Sequence, residues 1–358
     1  MRLAEVVREA WRDIASGAAW AGVGAIVFAV LLGGVVGLRT AAVAKDVRAA
    51  AAFVASGAAT TVQRAEGRID GRVCDALAET EGVITSGALR RLDAGTVPAA
   101  LPGSAVPTYE VTAGLPGVLG TAGTVGVAGV IVSPAVRESL GLAPGDPLVT
   151  AAGTSSEVAG VYDYPDDGRD PDLEYALLAP TADDGAPFDA CWVTVWPQRE
   201  DTRAMLRRTV LPASGADDEA RPTVGQLNPR LGAAFAPSAA ASAEVPFGAA
   251  VVAGLAVGGA AVARRRLALA SDLHVGVQRS VQVLGIVVQH AVWGAVGALV
   301  AVGVAVVLVR GLPVDDALPI VLEAAATATL GLVAVVLGGA LAAMMVRERA
   351  LHRYFRSR

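Results

Sequence analysis

Four stretches of this chain contain no Asp, Glu, Lys or Arg over a length that few soluble folds allow. They cover 14–38, 245–263, 280–309 and 324–346, which is 25, 19, 30 and 23 residues. A helix needs about 20 apolar residues to cross the hydrocarbon core of a bilayer. One such run is compatible with a buried helix of a large soluble protein, but four in one chain argue for membrane-crossing helices. Composition agrees. The chain is 54% hydrophobic yet only 4% aromatic, so Ala, Val, Leu and Gly carry the apolar content, as in helices that pack through small residues. The expected fold class is a membrane all-α protein with four transmembrane helices, plus an α+β extracytoplasmic domain inserted between helices 1 and 2.

Charge sets the expected sidedness, because Lys and Arg accumulate on the cytoplasmic side. The segments 1–13, 264–279 and 347–358 hold 12 basic and 5 acidic residues, a balance of +7. The block 39–244 has 16 basic and 26 acidic residues, or −10, and the link 310–323 balances at −2. Both termini and 264–279 are therefore expected in the cytoplasm, and 39–244 and the 310–323 loop outside, in a multi-pass protein of the plasma or inner membrane. Arg39 and Arg48 run against the rule at the first helix. Two further readings stay open near the N-terminus. Ala42-Val43-Ala44 resembles a signal-peptidase site, although the apolar run before it exceeds the usual 7–15 residues. Leu3, Val6, Val7 and Ala10, with Arg8, Trp11 and Arg12, fit either an amphipathic helix on the inner membrane face or an extension of the first span.

The block 39–244 is long enough for its own core. Residues 41–63 are Ala-rich and read as a helix continuing the first span. Beyond them, 106–112, 125–132, 147–151, 157–162, 175–178 and 191–195 read as short strands, and 134–142 and 202–210 as helices. The Pro-, Ala- and Ser-rich stretch 211–243 reads as a linker. Both cysteines, Cys74 and Cys191, fall in this block, in a compartment that permits disulfides. Two cysteines allow one intramolecular pairing, worth about 2–4 kcal/mol; two separate buried thiols are the alternative.

Catalytic signatures are missing from the sequence. A phosphate-binding loop needs Gly-x-x-x-x-Gly-Lys-Ser/Thr, and the one Lys, Lys45, stands between Ala44 and Asp46. His274, His290 and His352 show no zinc-ligand spacing, and there is no Gly-x-Ser-x-Gly element. The chain is thus expected to be non-catalytic, with no metal and no cofactor of its own. The acidic run 163–172 lacks the spacing of a calcium loop and reads as a solvated loop. Gln289 and His290 lie inside an apolar run. Intramembrane polar groups often mark function, but an interhelical hydrogen bond is the simpler reading. Gly33/Gly37 and Gly254/Gly258 form Gly-x-x-x-Gly pairs that permit close helix approach.

The layout of one helix, a large outer domain and three further helices resembles the FtsX-like and MacB-like ABC transporter permeases. Three segments carry the resemblance. Residues 264–279, Arg-Arg-Arg-Leu-Ala-Leu-Ala-Ser-Asp-Leu-His-Val-Gly-Val-Gln-Arg, are similar to the family's basic inner stretch, and Gly294, Gly297 and Gly303 to its small-residue third helix. Residues 132–146 with 158–161 resemble a helix-turn-strand passage of the outer domain, and 71–77 with Gly82-Val83 its start. Many members carry an acidic residue near Gln289, and the usual tail motif is replaced here by 347–353. The resemblance implies an ATPase-coupling segment containing Arg264, Arg265, Arg266, Leu269, Asp272, Leu273, His274, Val275, Gln278 and Arg279. It also implies two copies of an ABC ATPase subunit carrying ATP and Mg, a second permease subunit, identical or homologous, and motion passed to an outer protein or peptide substrate. Membrane lipid is the other expected partner, and nucleic acid is not one. A relay that activates an outer partner such as a cell-wall hydrolase, or a receptor without an ATPase, are the alternatives.

Overall fold

A computed structural model describes residues 3–17, 19–121, 129–182, 184–213, 221–238 and 244–350. In chain order the elements are α1 (Leu3–Ala15), α2 (Ala21–Ala55), β1 (Thr60–Ile69), α3 (Gly71–Ala76), β2 (Val83–Arg91), β3 (Thr108–Val111) and α4 (Leu115–Val118). Then come β4 (Val130–Val132), α5 (Pro134–Leu140), β5 (Pro147–Val149), β6 (Ser155–Val161), β7 (Leu177–Pro180), β8 (Phe188–Val195), α6 (Thr202–Arg207) and β9 (Thr223–Gln226). The chain ends in α7 (Glu244–His274), α8 (Arg279–Leu308) and α9 (Val314–Met345). Two compact units result: a helical unit of 1–49 and 237–358, and an α/β unit of 50–236. The four helices α2, α7, α8 and α9 are each long and apolar enough to cross a membrane.

In the helical unit α9 packs along both α7 and α8, which touch each other little, and α1 packs on α8. The α7–α9 seam is made by glycines. A Cβ on Gly254 would lie 2.5 Å from the Gly331 carbonyl oxygen, and one on Gly258 2.1 Å from that of Val335. Only a residue without a side chain lets these backbones meet so closely. Gly294 faces Leu332 and Val335, and Gly297 faces Phe28. Phe28, Leu32 and Val36 of α2 are buried. The pair Gly33/Gly37 behaves differently from the expectation. A Cβ on Gly33 would meet nothing within 4 Å, and one on Gly37 would make an ordinary 3.4 Å contact with Val304. Within this chain they form no close seam, because α2 turns Phe28, Leu32 and Val36 inward instead.

Several boundaries differ from the sequence reading. The first run does not start a span at 14. Helix α1 ends at Ala15, and Gly17 (φ 77°) and Trp20 (φ 50°) turn the chain before α2 begins at Ala21. Helix α1 is therefore separate from α2, with Val6 and Ala10 buried and Val7 and Trp11 exposed. The span 245–263 and the segment 264–279 are one helix as far as His274. Arg, Leu and Ala are strong helix formers, so nothing stops the helix before Gly276. There a left-handed residue (φ 93°) ends it, with Gly276 N–H donating to Leu273 O and Val277 N–H to Asp272 O, the double bond of a Schellman turn. The expected outer loop 310–323 shrinks for a similar reason. Pro313 precedes α9, and Asp315 and Asp316 occupy its first turn, where carboxylates favour a helix start.

Among the described residues the α/β unit holds a nine-stranded mixed sheet in the order β5-β6-β4-β7-β3-β2-β8-β1-β9. The expected strands near 106–112, 147–151, 157–162, 175–178 and 191–195 appear as β3, β5, β6, β7 and β8. Strand β4 covers Val130–Val132, and 125–128 of the expected 125–132 lie outside the described residues. Helix α5 has Ser133 accepting from Val136 N–H, Pro134 in its first turn and left-handed Gly141 at its end, the start and stop signals of a short helix. Helix α6 is shorter than the expected 202–210.

The expected helix 41–63 stops at Ala55 instead, and 60–69 is strand β1. Arg169 caps the helix end, donating to the carbonyls of Ala55 (2.7 Å) and Ser56 (3.1 Å), and Asn228 also donates to Ser56 O. These caps come from more than a hundred residues away in sequence. Strand β2 was not foreseen. Nor was β9, which lies within the stretch read as a linker; 214–220 and 239–243 of that stretch lie outside the described residues. Strand β2 needs Gly87, since a Cβ there would lie 2.2 Å from Leu115 N.

Cys74 and Cys191 form a disulfide with Cα atoms 5.8 Å apart, closing a sequence separation of 117 residues. It ties α3 to β8, a strand paired on both sides by β1 and β2.

Candidate functional site

The Arg-rich end of the helical unit gathers α1, the last turns of α7, the first turns of α8 and the end of α9. Its floor is apolar. Val262, Leu269, Ala270, Ile286, Ala343 and Val346 are buried together, with Leu273 packed against them. Leu269 and Leu273, expected in the coupling segment, therefore face inward as packing residues. Asp272, His274, Val275, Gln278 and Arg279 are exposed around the α7–α8 turn, Val275 at 75%.

Polar side chains tie the helices together above that floor. Arg265 on α7 donates to Asp13 Oδ2 on α1 (2.8 Å) and to Gln289 Oε1 on α8 (2.8 Å). Gln289 Nε2 completes the triangle by donating to Asp13 Oδ2 at 3.0 Å. Three helices thus share one hydrogen-bonded group, in which a charged pair is satisfied by an amide that donates and accepts. Gln282 Nε2 donates to the Leu269 carbonyl at 2.7 Å. A cavity of about 440 Å³ opens beside the triangle, lined by Glu9, Asp13, Arg265, Asp272, Gln282 and Gln289 among others.

Two further links close the end of the bundle. Arg279 reaches from the start of α8 to the last carbonyls of α9, donating to Val346 O at 3.2 Å. Such cation contacts with a helix C-terminus satisfy open carbonyls and oppose the macrodipole. His274 Nδ1 lies 2.8 Å from Glu348 Oε1. Arg264 instead projects outward, its guanidinium 5.6 Å from the Trp20 ring. Arg266 lies partly buried on the same helix.

His290 is placed differently from its neighbour Gln289. Its Nδ1 is 2.9 Å from the carbonyl of Ile286, one turn back, and its Nε2 is 3.3 Å from Gly258 O on α7. A neutral imidazole has one N–H, so it donates to one of the two. The ring also packs 5.0 Å from Trp293 and against Gly339. This is an interhelical packing contact, whereas Gln289 belongs to the charged triangle.

Sequence reasoning named Arg265 and Gln289 but not their shared partner Asp13, which lies 252 and 276 positions away. The available signal was Asp13 itself, a carboxylate at the edge of an apolar run. At the opposite end of the unit Arg39 pairs with Glu323 (2.9 Å), and Arg48 donates to Leu308 O at the end of α8. Arg39 and Arg48, which ran against the charge rule, thus satisfy a carboxylate and a helix end. Among the described residues no group of three or more His, Cys, Asp or Glu could hold a metal ion.

No family model matches this chain, and no curated protein does. Among solved structures it is similar to the periplasmic region of MacB from Actinobacillus actinomycetemcomitans, with 12% sequence identity and a TM-score of 0.32, over 42% of this chain and 81% of that one.

Proposed function

We propose that this chain is the non-catalytic membrane subunit of an FtsX-like or MacB-like ABC transporter, coupling ATP hydrolysis by a separate ATPase to movement of its α/β unit outside the membrane. The sequence resemblance and the order of elements support the reading: one apolar helix, a sheet domain, then three apolar helices. The observation that carries it is the α7–α8 turn. Val275 and its polar neighbours are exposed at the tip of a rigidly terminated helix, while Leu269 and Leu273 anchor that tip inward. A docking partner that pushes this tip would act on α7 and, through the Arg265–Asp13–Gln289 triangle, on α1 and α8 together. Nucleotide state of the partner then sets which of two arrangements is populated. The basic ends and the turn lie in the cytoplasm, the acidic block outside, and a second permease subunit completes the complex.

Purification of the intact complex from membranes, with identification of every bound chain, tests this directly: an ATPase is expected. Asp272→Ala combined with His274→Ala spares the inward-facing Leu273. It is expected to weaken ATPase binding by about tenfold or more, about 1.4 kcal/mol, with the helical unit intact. Unchanged binding would remove the turn as the docking site. An outer partner retained without any exported cargo would move the reading to signal relay.

A further inference from the structure

A second cavity lies on the helical unit, between the start of α2 and the middle of α7, with a volume of about 350 Å³. Its walls follow from helix spacing. On α7, Ala256, Ala260 and Arg264 recur every four residues, and Val257, Ala261 and Arg265 form the adjacent row. Trp20, just before α2, lines the cavity with Gly24 and Val27 of that helix, and Trp293 of α8 forms the floor, 3.4 Å from where a Gly24 Cβ would be. Both α7 rows are apolar and small until they end on an arginine. Eight residues of helix rise about 12 Å, close to the depth of one leaflet, about half of a 30 Å hydrocarbon core.

The two arginines are not equivalent. Arg265 is committed to Asp13 and Gln289. Arg264 is exposed and lies over the Trp20 ring, and no carboxylate pairs with it among the described residues. An apolar slot of leaflet depth thus ends in an uncommitted guanidinium beside a tryptophan, the residue type that favours the headgroup level. Guanidinium binds phosphate through paired hydrogen bonds.

We propose that the α2–α7 groove is a binding site for one anionic phospholipid of the inner leaflet, its acyl chain lying along Ala256 and Ala260 and its phosphate on Arg264. The site rests on the membrane reading above but not on the transporter reading. It would fill the gap between α2 and α7 and so hold their spacing.

The test uses the full chain reconstituted into phosphatidylcholine vesicles containing a minority of phosphatidylglycerol, with native mass spectrometry of the lipid retained after mild extraction. Phosphatidylglycerol is expected to be enriched on the protein over its share of the vesicle. Arg264→Ala is expected to reduce that enrichment about fivefold, the value of one basic residue near an anionic headgroup, and Arg264→Lys to keep most of it. Ala260→Leu changes an exposed position, leaves Arg264 in place, and is expected to lower retention by filling the slot. Soluble glycerol phosphate is expected not to displace the lipid.

Retention without headgroup preference overturns the proposal, as does preference unchanged in Arg264→Ala or retention unchanged in Ala260→Leu. Displacement by glycerol phosphate overturns the role of the groove. Efficient disulfide crosslinking of two Ala256→Cys chains places a second copy over the slot and also overturns it. A chain that fails to float with the vesicles breaks the membrane reading itself; one that floats and shows no preference breaks the lipid site alone.

Discussion

The packed helices of one unit and the turns of the other use glycine in opposite ways. In the helical unit Gly254, Gly258 and Gly338 sit in helical backbone, and what matters is the missing Cβ, which lets α7 and α9 touch. In the α/β unit Gly57, Gly82, Gly141 and Gly168 have positive φ and turn the chain. The cores differ in the same sense. Buried Tyr109, Tyr162, Tyr164 and Trp192 fill the α/β unit, whereas Ala and Val with Phe28 and Trp293 fill the helical one. Burial raises the phenol pKa of Tyr162 and of Tyr164, and the two hydroxyls donate instead to the carbonyls of Leu173 and Asp170. In water, large side chains gain by leaving solvent. For helices long and apolar enough to cross a membrane, that gain would be absent in lipid, and close backbone contact through small residues takes its place.

The comparison breaks most visibly at Gly258. Gly258→Leu would drive a side chain into the Val335 carbonyl at 2.1 Å, and overpacking without room to yield costs about 3 kcal/mol or more. The expected outcome is loss of helical-unit packing in detergent, read as a lower unfolding midpoint, while Gly33→Leu, which meets nothing, leaves the midpoint unchanged. Equal effects at both positions would show that the seam is not what holds α7 to α9.

The next effect belongs to the α/β unit alone. Replacing Cys74 and Cys191 together by Ala removes a closure across 117 residues and should cost about 2–5 kcal/mol. Limited proteolysis in urea should show earlier cleavage within 50–236 and little change in the helical unit. Simultaneous loss of both units would mean that they unfold as one.

The smallest effect concerns a carboxyl beside that disulfide. Burial raises the pKa of Asp75, partly offset by hydrogen bonds from Thr112 Oγ1 and the Gly114 N–H. A carboxyl raised on folding favours the folded state most below its unfolded pKa, and that advantage is lost as pH rises through the folded value. Asp75→Asn should therefore flatten the loss of α/β-unit stability from pH 4 upward, measured as the urea midpoint against pH. A midpoint–pH profile identical to wild type would show that Asp75 is not strained by its surroundings.

Legibility from sequence followed the range of the interactions. The four apolar helices were readable because hydropathy over about 20 residues is a local property, and α5 was readable because its cap, proline and glycine are adjacent to it. The end of α7 is written locally too, in Gly276, the glycine at which the helix terminates. The end of α2 was not, because Arg169 and Asn228 cap it from distant parts of the α/β unit. At the candidate site Arg265 and Gln289 stood out as polar groups flanking or inside apolar runs, but their joining through Asp13 did not.

What the sequence by itself determined is therefore the number and placement of the apolar helices, the Arg-rich grouping of their ends, the α+β character of the inserted block, and that one disulfide at most could form within the chain. Only the tertiary structure decided that the cysteines pair, that Gly254 and Gly258 make a seam while Gly33 does not, and that Asp13, Arg265 and Gln289 meet. The physical reason is common to all of these. Solvent transfer and backbone preference act on neighbouring residues and are written locally, whereas close packing and hydrogen-bond partnership depend on which distant surfaces the fold brings within a few ångströms.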